Sequence, residues 1–243
     1  MRMQVFAKRC AKEILRDPLN LAFGLGFPVV LLLLLSAIQA NVPVDLFRIE
    51  SLSPGVAVFG ISFMTLFSAT LISKDRESSF LERLYTTPMR SADFILGYML
   101  PCLPIAVGQS AIGYIVAMIL GLEPTVNLLY AILFMIPISI LYLSMGLLFG
   151  SILNVKQVGG VCGALLTNLS AWLSGVWFDL ELVGGGFRKV ASILPFYHAV
   201  ELERAAIVGD FSAIWSHLLI VLAYSAAITA LAIALFLRQM KKR

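Results

Sequence analysis

The side chains best suited to chemistry lie near the end of the chain. His198, Glu201 and Glu203 sit close together, with His217 downstream, and imidazoles beside carboxylates are the raw material of a transition-metal site. The His-Glu-x-x-His spacing of zinc sites is missing, so no metal is expected. Gly184, Gly185 and Gly186 could approach a phosphate, but the chain has no Gly-x-x-x-x-Gly-Lys-Ser/Thr loop. The triplet therefore reads as a turn, and ATP is not expected to bind here. Asp, Glu, His and Arg are absent from the middle of every long apolar stretch. Proton relays place such groups at membrane depth, so a relay is disfavoured; a sodium-coupled carrier is disfavoured less, because backbone carbonyls can hold sodium. Gln109, Thr167 and Asn168 are the polar residues at depth, and they read as interhelical hydrogen bonds worth ~0.6–2 kcal/mol each. No catalytic constellation emerges, so the chain is not expected to be an enzyme or to hold a cofactor.

The elements that carry these residues are set by composition. Hydrophobic residues make up 60% of the 243 positions and charged residues 13%, with a mean hydropathy of +0.93. A soluble fold cannot hide that much apolar surface. A spanning helix needs roughly 20 apolar residues, and six stretches qualify: 19–39, 52–73, 94–120, 128–153, 158–178 and 217–237. The runs are continuously apolar, unlike the alternating ~10-residue strands of a barrel, so the expected fold is an all-α membrane protein of six spans. The first run exceeds the apolar length of a secretory signal and reads as a retained helix. Cys10, Cys102 and Cys162 fall in spans or on the tail, where a disulfide framework is not expected.

Fourteen of the eighteen basic residues collect on one side: five before the first span, four within 74–93, Lys156, and four at the end of the chain. The positive-inside rule then places both termini in the cytoplasm. The net charge of +4 needs no nucleic acid, since contact with anionic lipid accounts for it. Residues 1–243 are expected to form a single transmembrane domain. Within 1–17, Met3, Phe6, Ala7, Cys10 and Ile14 fall on one side of a helical wheel and Lys8, Arg9, Lys12 and Arg16 on the other. This is an amphipathic helix expected along the inner membrane surface, as a lipid anchor or as a dock for a cytoplasmic partner.

The loop 74–93 reads KDRESSFLERLYTTPMRSAD. Ser79 and Glu82 fit a capping box, Phe80, Leu81 and Leu84 supply an apolar face, and Pro88 ends the helix. Ser91 can cap the next span. SLSPG at 51–55, RESSFLERLYTTPM at 76–89, ILGYML at 95–100 and LPFYHAVELERAAIVG at 194–209 together resemble the type 2 ATP-binding-cassette exporter permeases, over essentially the whole chain. Ser79 stands where that family often has glycine, which leaves open where the loop helix starts.

The resemblance implies that the loop is a coupling helix seated in a separate ATP-binding subunit, through Arg76, Glu77, Glu82, Arg83, Leu84, Thr87 and Pro88. ATP and magnesium would be bound by that partner. It also implies two permease copies, most simply a homodimer, in a bacterial cell membrane, with a pathway between them lined by the second and fifth spans. Phe59, Phe63 and Phe67 form one stripe of the second span, and the fifth offers Thr167, Asn168 and Trp172. An aromatic lining would suit apolar or amphipathic cargo such as a drug, antibiotic or lipid, rather than a polysaccharide; ordinary packing is the competing reading of each Phe. Short outer or re-entrant helices are expected in 179–216. An ion-coupled carrier and a membrane assembly protein remain the other function classes.

Overall fold

A computed structural model describes residues 2–43, 47–78, 80–81, 89 and 91–241, and among them there are helices and no strands. Helix α1 is Arg2–Leu15. The short α2, Pro18–Leu21, passes through a wider π turn at Ala22–Gly26 into α3, Phe27–Gln39. Helix α4, Ile49–Glu77, is followed by α5, Ser91–Met99, and α6, Cys102–Ile119. Pro101 sits at the break between the last two, having no N–H to continue the ladder. Next come α7, Asn127–Ile152, and a continuous winding over 155–173 made of α8 (Val155–Val158), a π stretch (Gly159–Leu166) and α9 (Thr167–Leu173). Three shorter helices follow, α10 (Leu180–Val183), α11 (Gly185–Ala191) and α12 (Pro195–Val208), before α13, Phe211–Lys241.

Among the described residues, five stretches are long and apolar enough to cross a membrane: Ala22–Gln39, Ile49–Glu77, Ala92–Ile119, Asn127–Ile152 and Phe211–Arg238. The expected span at 158–178 is the exception. It is helical from 155 but ends at Leu173, and Lys156, Gln157, Thr167 and Asn168 dilute its apolar character. The expected helices of 179–216 are α10 to α12. Only Gly184 of the glycine triplet turns the chain; Gly185 and Gly186 already belong to α11.

Helix α4 is the axis of the bundle, buried along most of its length and packed on α3, α6, α7, α12 and the 155–173 winding. In lipid there is no water to expel from between helices, so they must gain from close contact, which small residues permit. Gly146 and Gly150 of α7 provide it. A Cβ on Gly146 would lie 2.8 Å from Ser68 Cβ, and one on Gly150 would lie 2.9 Å from the Ala69 backbone. Beside this crossing the Thr65 hydroxyl donates to the Tyr142 carbonyl at 2.8 Å. Helix α12 is bounded as its sequence dictates, with Pro195 in the first turn and Gly209 accepting the left-handed φ of +82° that stops it.

The amphipathic helix corrects one expectation. The Phe6, Cys10 and Ile14 face of α1 is buried in the protein instead of lying against lipid. Phe6 meets Phe94 and Tyr98 edge-on, with centroids 5.8 and 4.9 Å away, and covers Gly97, where a Cβ would fall 2.3 Å from its ring. A helical wheel finds an apolar face but cannot say whether lipid or another helix covers it.

Candidate functional site

The site grows from the end of α4 that carries Asp75, Arg76 and Glu77. Asp75 is the buried acid at this end of α4, its side chain only 3% exposed. A buried carboxylate needs partners for both oxygens, and α1 and α5 supply them. Arg9 grips it with both terminal nitrogens, Nη1 on Oδ2 and Nη2 on Oδ1 at 2.6 Å, while the Tyr98 hydroxyl donates to Oδ2 at 2.9 Å. This fork geometry is what an arginine offers and a lysine cannot. Arg9 also meets Glu13 at 2.6 Å and lies over the Phe80 ring at 4.1 Å, the start of the expected coupling segment. Burial opposes the Arg9 charge, but the hydrogen bond and attraction of Asp75, helped by Glu13, hold its pKa above the ordinary arginine value. Burial pushes the neighbouring Cys10 thiol up to about 12, so it stays an inert thiol.

Arg76 and Glu77 turn the other way, onto the corner between α7 and α8. Arg76 donates to the Ser151 carbonyl and, at 2.5 Å, to the Leu153 carbonyl, the free carbonyls that end α7. Glu77 accepts from the Val155 N–H at 3.0 Å, and Asn154 and Gln157 complete the corner as a capping box. Both residues, expected to touch a partner, are thus committed to their own chain. The remaining expected partner contacts, Glu82, Arg83, Leu84, Thr87 and Pro88, lie outside the described residues, as does the Ser79 and Glu82 capping box. Of the basic residues in and just after α1, Lys8, Lys12 and Arg16 are exposed, while Arg9 turns inward.

The expected pathway residues separate. Phe59, Phe63 and Phe67 are buried inside the chain rather than facing open space. Phe59 packs on Phe27, Phe63 and Trp177, Phe63 also meets Phe27, and the Phe67 ring fills the space above Gly24. Thr167 is buried and bonds the Cys162 carbonyl of its own helix. Asn168 and Trp172 are exposed, in line with Gly160 and Ala164 at four-residue spacing. Asn168 bonds the Ala164 carbonyl, and Gln109 keeps both amide atoms buried with no partner among the described residues, so none of the three polar residues at depth makes the expected interhelical bond.

The opposite end of the bundle holds features that the sequence did not reveal. Glu203, on α12, is fully buried and accepts a 2.6 Å hydrogen bond from Tyr114 of α6, leaving Oε1 without a partner among the described residues. Burial pushes its carboxyl well above the usual range; the Tyr114 bond opposes this less strongly. Arg204, the next residue, bonds the Gly175 carbonyl at 2.8 Å and Glu201 at 2.8 Å, and helps close a cavity of about 440 Å³ walled by Arg48, Trp177, Arg188 and Tyr197. His198 and His217 meet, Nδ1 to Nδ1, at 2.8 Å. No group of three metal-binding side chains occurs among the described residues.

Residues 1–208 match the model of a family described as ABC-2 type transporter. The chain is also 26% identical over 212 residues to ycf38 of Porphyra purpurea, a protein named as a transport permease, covering 82% of this chain and 71% of that protein.

Proposed function

This chain belongs to the ABC-2 type transporter family, and on that premise we propose that it is the membrane half of an ATP-driven exporter, paired with a separate ATP-binding subunit. The family supports a multi-pass permease subunit working with such a partner; export, cargo and dimerisation are our reading. The ATP-binding subunit holds ATP and magnesium and performs the hydrolysis. The 155–173 winding serves as the sixth span, and the end of the bundle bearing α1 faces the cytoplasm, in keeping with its basic residues.

The observation that carries the proposal is the Arg9–Asp75–Tyr98 cluster. It locks α1, the end of α4 and α5 to one another, while Arg76 and Glu77 lock the same end of α4 to the 151–155 corner. A push on the coupling segment by a closing ATP-binding subunit is thereby passed to four elements at once. Lys8, Lys12 and Arg16 remain on the open face of α1 for lipid headgroups or for that subunit. The exposed line of Gly160, Ala164, Asn168 and Trp172 faces a second copy across the pathway, with small residues allowing approach and Trp172 offering apolar area to amphipathic cargo.

Glu203, a fully buried carboxyl in the bundle, favours a second reading: an ion-coupled carrier. Inside-out vesicles containing the chain and its ATP-binding partner separate the two. Export predicts uptake of an amphipathic dye that needs ATP and survives collapse of the proton and sodium gradients. Uptake driven by a gradient without ATP would overturn it.

A further inference from the structure

The chain has two histidines, nineteen residues apart, and the fold brings their rings together. His198 sits on α12 and His217 near the start of α13; Tyr197 packs edge-on against both, with centroids 5.3 and 6.1 Å away. Hydrogen-bond donors and acceptors fix the proton positions. His198 Nε2 lies 2.8 Å from the Ser192 carbonyl, which only accepts, so Nε2 carries a hydrogen. In the neutral ring Nδ1 is then bare and accepts, and His217 Nδ1, 2.8 Å away, must donate.

One further proton fits this arrangement. On His217 Nε2 it leaves the Nδ1–H···Nδ1 bond intact and makes it charge-assisted. A second does not fit: with both rings protonated, two N–H groups and two positive charges face each other across 2.8 Å. Glu201 attracts a charge on His217, but it and the other charged groups nearby are each engaged elsewhere. Glu201, on the same helix as His198, is held by Arg204, and Arg188 of α11 is held by Glu181. Asp210, just before α13, is engaged by Ser212 and Ala213, and the Tyr224 hydroxyl of α13 is committed to the Ile193 carbonyl.

We propose that the His198–His217 pair is a proton-operated latch joining α11 and α12 to the start of α13, closed while the two rings share at most one extra proton and opened by the second. The latch concerns this chain alone, so its test is independent of the exporter assignment.

With two histidines, ¹⁵N-histidine labelling of the chain in nanodiscs yields two ring spectra. The expected result is opposite tautomers at neutral pH, Nε2–H for one ring and Nδ1–H for the other. The second proton should then be taken up in a step separate from the first, as with coupled groups. Opening is read separately by spin labels on Ile193→Cys and Leu219→Cys, which are 66% and 62% exposed, while the three native cysteines are buried. The label distance should widen across the second step in the wild type and show no acid dependence in His217→Phe. Matching tautomers with independent titration would overturn the pairing. A two-step titration without a change in distance would overturn the latch.

Discussion

Replacing Asp75 with Asn keeps the shape of the side chain and an oxygen for the Tyr98 hydroxyl, but removes the charge that Arg9 grips with two nitrogens. Hydrogen bonds to a charged group contribute about 1.5–3 kcal/mol. The upper end is not expected, because Arg9 is 33% exposed and still has Glu13, so water and that carboxylate recover part of the loss. Phe6 continues to hold α1 on α5, so the bundle stays folded and the loss falls on local detachment of α1. About 2 kcal/mol corresponds to roughly thirtyfold in an opening equilibrium. Hydrogen exchange of the α1 amides in nanodiscs should therefore accelerate by roughly ten- to a hundredfold, with α7 and α13 unchanged. Arg9→Lys should reproduce part of the effect, since an ammonium cannot fork. Exchange in α1 that stays within threefold of the wild type would refute the assignment of Asp75 as the anchor.

Other expectations follow from the same contacts. Gly150→Val places atoms where the Ala69 backbone already lies and should cost about 1–3 kcal/mol or more, seen as a lower melting temperature in detergent, whereas substitution at the open Gly108 should not. Glu203 has a folded pKa raised above its unfolded value of about 4.3, so its contribution is complete below that value and is lost as pH rises through the folded pKa. Wild-type melting temperature should fall as pH rises above about 4.3, and Glu203→Gln should flatten that slope. Trp172→Ala, at a residue 54% exposed, should leave stability within about 0.5 kcal/mol yet reduce ATP-dependent dye uptake.

Much of the helical framework was legible because its signals are local. The fourth span, expected at 128–153, is Asn127–Ile152, and Pro195 and Gly209 bound α12. The 155–173 winding was harder, since Lys156 and Asn168 interrupt an apolar run whose π turns follow no simple period. The site was less legible still. Asp75 looked like one charge among several in a polar loop, and only the fold shows Arg9 and Tyr98 closing on it from sequence distances of 66 and 23 residues. Phe59, Phe63 and Phe67 share a stripe in any helix, but Phe27 and Trp177 determine what the stripe faces. Glu203 and the two histidines lie in the 179–216 segment and the mouth of the last span, where spacing cannot indicate that α12 folds back into the bundle.

Co-purification from mild detergent of the tagged chain, expressed with an ABC ATP-binding subunit encoded beside it, tests the coupling role most directly. The wild type should retain that subunit in stoichiometric amount and show ATPase activity, a variant with 82–88 replaced by Gly and Ser should lose it, and Asp75→Asn should retain it while ATP hydrolysis no longer drives dye uptake. A wild-type chain that binds no such subunit, or a replaced segment that binds it equally well, would contradict the assignment.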